Sequence, residues 1–455
     1  MSTRHAIAAN EFLANKENEV WHDNTLWMVR AKRDKMSRSI PEWERLRDMA
    51  SAIKNYSNSH LDTLLEEFER NATANGAIVH WAKDAEEHNR IVLDILKEHK
   101  VQRLVKSKSM LTEECHMNPY LMEQGIDVVE TDLGERILQL MKLEPSHIVM
   151  PAIHIKREAI GKMMEREMHT EKGNFDPTYL THAARRNLRE LFLHADAALT
   201  GANFAVASTG EIVVCTNEGN ADMCTSFPKV HIATFGMEKI VPNLESLGVF
   251  TRLLARSGTG QPITSYTSHY RRPAEGQAFH IIIVDNGRSE ILAKPDHVRT
   301  LNCIRCGQCM NTCPVYRRSG GYSYTYFIPG PIGINLGMLR DPRRYADNVS
   351  ACTLCLSCSN VCPAKVDLGE QIYRWRQALD RYGVANPEKK WLSWGMKVVM
   401  DRPMLFNTAL KFAPLANHMP RFLVYSSVNA WGRGRELPAF AKCSFNEMWK
   451  KNEVK

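Results

Sequence analysis

Eight of the twelve cysteines in this 455-residue chain stand in two runs of one pattern. The first run is Cys303, Cys306, Cys309 and Cys313 followed by Pro314; the second is Cys352, Cys355, Cys358 and Cys362 followed by Pro363. Both read C-x2-C-x2-C-x3-C-P. Three thiolates this close together can wrap one iron–sulfur cubane corner by corner, which a regular helix or strand does not allow. The fourth faces away and ligates a second cluster, so each run needs its twin. The proline then redirects the chain. Zinc prefers two separated C-x2-C pairs rather than quartets ending in Cys-Pro, and disulfides need an oxidising compartment.

The spacing resembles that of the bacterial two-cluster ferredoxins. On that pattern the chain holds two 4Fe–4S clusters. The first takes Cys303, Cys306, Cys309 and Cys362, and the second takes Cys352, Cys355, Cys358 and Cys313, all as thiolates. The runs begin 49 positions apart, a long separation for a minimal ferredoxin. The linker holds Gly320, Gly321, Tyr322, Tyr324, Tyr326, Phe327, Pro329 and Pro331. It reads either as an ordered loop that covers the clusters or presents them to a partner, or as a plain connector. Arg305 and Lys365, next to ligands, would raise the reduction potential by stabilising added negative charge.

The elements that position these residues must come from two or three domains, given the length. A composition 44% hydrophobic and 24% charged is that of an ordinary globular protein. The first residues lack the apolar core of a secretory signal, and no apolar run is long enough for a transmembrane helix. The expected location is therefore cytoplasmic, where thiols stay reduced. Cys115, Cys215, Cys224 and Cys443 then read as small buried hydrophobes. The net charge of +8 is moderate and reads as spread along the chain, with paired arginines such as Arg271-Arg272 solvated. No basic run interleaved with aromatics points to nucleic acid.

Residues 1–75 read as a helical arm; Leu61, Leu64, Leu65 and Phe68 fall at helical spacing. Residues 76–295 alternate short apolar runs with amphipathic ones, the mark of an α/β sheet with mainly parallel strands. Strands are expected at 77–79, 101–105, 126–129, 147–150, 201–208, 211–215, 230–234 and 279–284, with helices at 84–100 and 244–254 among others. Residues 296–370 form the cluster domain, and 371–455 a helical C-terminal region. In that region Trp391, Trp394, Met396, Val399, Leu405 and Phe406 make a stripe read as core, with an amphipathic docking surface as the alternative.

Outside the cysteine runs, Thr216-Asn217-Glu218-Gly219-Asn220 directly follows a strand, where open α/β sheets bind ligands. Glu218 is its one ionisable group, a candidate base or nucleophile; a polar turn with unusual dihedrals at Asn217 and Gly219 is the plainer reading. Lys106-Ser107-Lys108-Ser109 precedes a helix start that would suit an anion. His80, His116, His154, His194 and His231 do not cluster at metal-ligand spacing.

The order of parts resembles one family. A helical N-terminus, an α/β domain with Thr200-Gly201-Ala202-Asn203-Phe204 and Thr216–Asn220, the two cysteine runs and a helical tail together are similar to the lactate-utilisation protein B family, over nearly the whole chain. The resemblance implies a LUD domain, with a fold similar to the NagB/RpiA/CoA-transferase group, joined to a ferredoxin-type domain. It implies an iron–sulfur subunit relaying electrons from L-lactate oxidation to pyruvate towards the respiratory chain. The partners implied are a cysteine-rich-domain subunit and a smaller LUD-domain subunit, with membrane contact at most peripheral and through them. Two other readings compete: an enzyme whose α/β domain converts a small acid or acyl substrate through Glu218, and a scaffold whose clusters carry no current.

Overall fold

The computed structural model describes residues 4–384, 387–424 and 438–451; the chain forms two compact units, one running to Leu379 and one from Asp380. The first unit opens with helices α1 (Arg4–Ala14), α2 (Lys16–Arg38), α3 (Trp43–Ser59) and α4 (Leu61–Ala74). Strands β1 (Ile78–Ala82), β2 (Arg103–Lys106), β3 (Asp127–Glu130), β4 (Ala197–Gly201) and β5 (Phe204–Val206) follow. Then come β6 (Glu211–Thr216), β7 (Val230–Gly236), β8 (Ile240–Val241), β9 (Tyr266–Tyr270) and β10 (Ala278–Val284).

Six strands form one sheet in the order β1-β10-β7-β4-β2-β3, with all neighbours parallel. The expected parallel α/β sheet is therefore present. Such a sheet needs both faces covered, and the side chains of β10 show how. Phe279, Ile281 and Ile283 join the core formed with Leu61, Leu64, Leu65 and Phe68 of α4. Ile282 and Val284, on the opposite face at period two, join Val92, Leu93, Ile95 and Leu96. Those four lie on α5 (Ala85–Glu98), whose start is set by Asp84 accepting a hydrogen bond from the Glu87 amide at 2.9 Å. This N-cap fixes which face of α5 meets the sheet.

A second sheet, β8-β5-β6-β9, is built on the β5–β6 hairpin, which is antiparallel with Phe204 opposite Val213. The hairpin turns at Gly210, with φ of +67°, and a Cβ there would lie 2.3 Å from the Ala72 amide nitrogen on α4. Only glycine fits a turn pressed this closely on a helix backbone.

Two expectations about elements are corrected, and one strand lies mostly where none was expected. Residues 147–150 are not a strand. The His147 ring takes the place of a ladder partner: its Nδ1 accepts from the amides of Val149 and Met150 at 3.0 and 3.1 Å. The stretch 201–208 is split, with Gly201 ending β4 in the first sheet and Phe204 opening β5 in the second. β4 itself, Ala-Ala-Leu-Thr-Gly, is buried throughout, yet has Thr200 as its single β-branched residue and no aromatic, so it lacks the pattern by which strands are usually recognised.

The second unit holds helices Pro387–Met400 and Pro403–Phe412. Its Trp/Met stripe is not core: Trp391 is 72% exposed, Trp394 60% and Met396 48%. Helical spacing places these side chains on one face, but the described residues of this unit supply no layer to cover it. Most of the chain's net positive charge also falls after Asp380 rather than being spread evenly. No helix among the described residues is long and apolar enough to cross a membrane.

Candidate iron–sulfur centre

Each cysteine run folds the same way. A loop carries the first two cysteines, and a five-residue helix (Gln308–Thr312 or Ser357–Val361) carries the third. Arg305 and Leu354, at equivalent positions, both take left-handed backbone, φ +60° and +54°. Gly307 and Leu356 repeat this at +75° and +59°. Left-handed backbone costs a non-glycine residue about 1–3 kcal/mol. Here it aims amides at sulfur. The Arg305 N–H donates to Cys303 Sγ at 3.4 Å and the Leu354 N–H to Cys352 Sγ at 3.3 Å. Tyr316 and Val366 amides do the same for Cys313 and Cys362, at 3.5 and 3.4 Å. Hydrogen bonds of this kind are among the levers that set a cluster's potential.

The electrostatics sort the eight thiols into two sets. Burial, then the neighbouring Cys362 and Cys303, push the Cys306 thiol up to about 12. Burial, and after it Cys303, raise Cys362 to about 11. Burial raises Cys358 as well, followed by Cys313, Cys352 and Cys355. So Cys362 lies near Cys303 and Cys306 of the first run, and Cys313 near Cys352 and Cys358 of the second. Cys309 joins the first set through Cys303 and Cys306 and also feels Cys358, which links the two. Thiols this crowded hold their protons until a metal replaces them. Among the described residues no three His, Cys, Asp or Glu side chains close on one point, as a single metal ion needs. A cubane instead spreads its ligands over separate corners, and both sets suit that demand.

The surroundings of the two sets differ. The first is ringed by cations. The Arg33 guanidinium acts on Cys306, Arg47 on Cys362, and Lys54 and Lys239 lie beside Cys303. Burial lowers both lysines to about 8. The second set has Arg376 near Cys352, and its Cys355 is exposed. Lys365 pairs with Asp48, and with Glu44 at 3.8 Å, so its charge is already compensated.

Helices α2 and α3 hold this assembly, a role the sequence reading of a helical arm did not include. Arg33 donates to the Val361 carbonyl at 3.0 Å, and Arg47 to those of Asn360 and Cys362 at 2.8 and 2.9 Å. In the linker, Tyr324 is fully buried with its hydroxyl 3.9 Å from Cys313 Sγ. The linker is thus an ordered cover over that thiol.

Residues 65–291 match the model of the LUD domain, and residues 299–366 match that of the 4Fe-4S dicluster domain. Lactate utilization protein B of Bacillus pumilus is 39% identical over 432 residues, covering 92% of this chain and 90% of its own. That of Geobacillus thermodenitrificans is 40% identical over 430 residues, with 91% and 90% covered. The chain belongs to the lactate utilization protein B family. A further relative, named uncharacterized electron transport protein YkgF, from Escherichia coli, is 38% identical over 443 residues, with 95% and 93% covered. A crystal structure of a DUF162 family protein from Deinococcus radiodurans is matched at TM-score 0.27 and 16% identity over 49% of this chain and 98% of its own, a likeness too slight to argue from.

In this lactate utilization protein B homologue the other candidate residues divide into two groups. Lys106 is buried in ion pairs with Glu130 and Glu113, and Ser109 caps a helix of a single short turn, Met110–Glu114. That stretch is no free anion site at a helix start. Three of the five histidines are hydrogen-bonded to other side chains: His231 to Thr200 at 2.8 Å, His80 to His280 at 3.0 Å, and His154 to Ser146 at 2.6 Å. Burial holds His231 down to about 3, the state of a neutral core histidine. Cys115 and Cys224 are buried, as expected for small hydrophobes, whereas Cys215 and Cys443 are only half-buried, against that expectation.

Glu218 lies on an exposed turn, and its carboxylate accepts the Leu133 amide at 3.0 Å. Burial, then Asp132, push it up to about 7. Gly219 is left-handed at φ +69°, whereas Asn217 uses its side chain, accepting the Ser265 amide at 3.2 Å. Glu218 borders a cavity of about 260 Å³ that reaches from the ends of β4, β6 and β7 to Arg305 and Cys306. Sequence reasoning had placed no link between this turn and the clusters; only the fold brings them together.

Proposed function

We propose that this chain is the iron–sulfur electron-transfer subunit of an L-lactate oxidation complex that supports growth on lactate. It carries two 4Fe–4S clusters, one on Cys303, Cys306, Cys309 and Cys362 and one on Cys352, Cys355, Cys358 and Cys313. The nearness of Cys362 to Cys303 and Cys306, and of Cys313 to Cys358, is the observation that supports the reading. The names of the relatives, lactate utilization protein B and an electron transport protein, supply the substrate and the role. Oxidation of lactate to pyruvate releases two electrons and two protons. A bound cluster takes up and returns one electron at a time, which suits a relay rather than the oxidation itself.

The protein's own residues bias the direction. Arg33, Arg47, Lys54, Lys239 and Arg305 favour added negative charge at the first set. Exposed Cys355 gives the second set an edge at the surface, where a partner subunit would hand over electrons. The partners are a cysteine-rich-domain subunit and a smaller LUD-domain subunit, and the electrons pass on towards the respiratory chain. The working location is cytoplasmic, with any membrane contact peripheral and through those partners.

The test is anaerobic. Iron and sulfide are assayed on the purified chain, and EPR is recorded before and after L-lactate, alone and with both partners. Two cubanes require about 8 iron and 8 sulfide per chain. Reduction by lactate only with partners present is the expected outcome; iron that never changes state would sink the relay. A second reading, conversion of a small acid by the α/β domain, is favoured by Glu218, which borders the cavity and is raised to about 7. Reduction by lactate without partners would select it.

A further inference from the structure

The six-stranded sheet changes direction between β2 and β4. β2 leads outward to β3, while β4 leads the other way to β7, and β2 and β4 are neighbours. The strand ends diverge there and leave a crevice, the place where open α/β sheets bind ligands. The 260 Å³ cavity occupies this crevice.

Its polar wall is incomplete. Lys108 Nζ, Arg305 Nη1 and Thr216 Oγ1 all belong to residues that line the cavity, and each is a buried atom with no hydrogen-bond partner. Two of the three are cationic donors. Each cation has a carboxylate within ionic range but is not hydrogen-bonded to it: Glu135 lies 3.5 Å from Lys108, and Glu238 lies 3.9 Å from Arg305. Glu238 is also engaged by Arg288. Lys239 adds a further cation to the wall. The acids of the cavity are otherwise occupied. Glu114 is held by Arg288 at 3.0 Å, Asp132 caps a helix by accepting the Glu135 amide at 3.2 Å, and Glu218 accepts the Leu133 amide. Buried donors left unmatched are costly, and here they share one space. What they lack is a hydrogen-bond acceptor, and the two cationic donors favour one that carries negative charge.

We infer that this cavity binds a small organic carboxylate, its oxygens taking hydrogen bonds from Lys108 Nζ, Arg305 Nη1 and Thr216 Oγ1. Val214, Phe235 and Leu254 supply an apolar wall for its carbon skeleton. The volume is below that of pockets for drug-sized ligands, which limits the occupant to a few carbons and leaves no room for a dinucleotide. Cys306 forms part of the same wall, so the occupant lies against the first thiol set. Binding does not depend on the electron-transfer reading; only the second readout below uses the clusters.

The test uses the full chain, purified anaerobically, in equilibrium dialysis against radiolabelled L-lactate, pyruvate and inorganic phosphate, followed by EPR of the reduced protein with and without each. Saturable binding of a carboxylate is expected, weakened about tenfold or more by Lys108→Gln with iron content unchanged, together with an altered EPR signal. Thr216→Val, which removes a neutral donor, should weaken binding less and remains informative if Lys108→Gln misfolds. Carboxylate binding unaffected by either substitution overturns the assignment, as does no binding of either carboxylate. Binding of phosphate in preference to both overturns the carboxylate class. A chain without clusters still reports binding by dialysis, so failure of the relay does not mask the result.

Discussion

Arg47 offers the sharpest perturbation. It projects from α3 into the backbone of the second cysteine run, only 8% exposed, and donates at 2.8 and 2.9 Å to the carbonyls of Asn360 and Cys362. Its bond to Glu44 at 2.7 Å adds little, because that carboxylate is 66% exposed. Arg47→Met keeps most of the volume and removes both backbone bonds, leaving buried carbonyls without donors. Hydrogen bonds from a charged donor are worth about 1.5–3 kcal/mol each, so the loss is roughly 3–6 kcal/mol. In a unit this large that corresponds to a fall in Tm of roughly 5–10 °C. Arg47→Lys restores charge, but a single ammonium does not span both carbonyls, and about half the loss should remain. The assay is anaerobic thermal unfolding, with visible absorbance of the clusters followed in parallel, since Cys362 is the ligand nearest the damage. If Arg47→Met melts and bleaches like the unsubstituted chain, α3 does not clamp the second run and the argument fails.

Cys313→Ser should strip the second cluster and leave the first, so that iron falls by about half; loss of the signal belonging to the first set instead would refute the exchange of ligands. Lys239→Met removes a cation beside Cys303, and the midpoint potential of the first cluster should fall by tens of millivolts in an EPR-monitored redox titration, with the second cluster little changed. Glu218 gives a pH prediction with a definite sign. Its folded carboxyl is raised to about 7 by burial and then by Asp132, from an ordinary value of 4.5. The folded state therefore holds its proton more tightly than the unfolded one, and stability falls as pH rises from 4.5 towards 7. Glu218→Gln should flatten that decline in denaturant midpoints measured across the interval, while Glu135, also raised to about 7, keeps its own share. An unchanged slope would mean that Glu218 titrates as a free carboxylate.

Much of the cluster chemistry was legible from the chain, because ligand spacing is local: seven consecutive residues decide whether three thiolates can reach one cubane. The exchange of the fourth cysteine follows from the same geometry. Helices α4 and α5 were legible too, since Leu61, Leu64, Leu65 and Phe68 repeat at 3.6 residues and Asp84 announces a start. β4 was hidden, because Ala and Gly are small enough to pack between neighbours without the bulk that marks a strand. Residues 147–150 look like a strand until His147 turns back on its own backbone. The Trp391–Met400 stripe carries the pattern of a core helix, and pattern alone does not say whether a covering layer exists.

The sequence by itself determined the cofactor type, the family and the parallel α/β plan, because each rests on spacing within short segments. The tertiary structure decided the rest. It alone brought Arg33 and Arg47 from an apparently solvated arm onto the carbonyls behind Cys362. It gathered Lys54, Lys239 and Arg305 around one thiol set and not the other. It also set Glu218, Lys108 and Cys306 around one cavity, although more than 80 residues separate each from the next. Charge and hydrogen bonding act through space, and the distances that govern them exist only once the chain has folded.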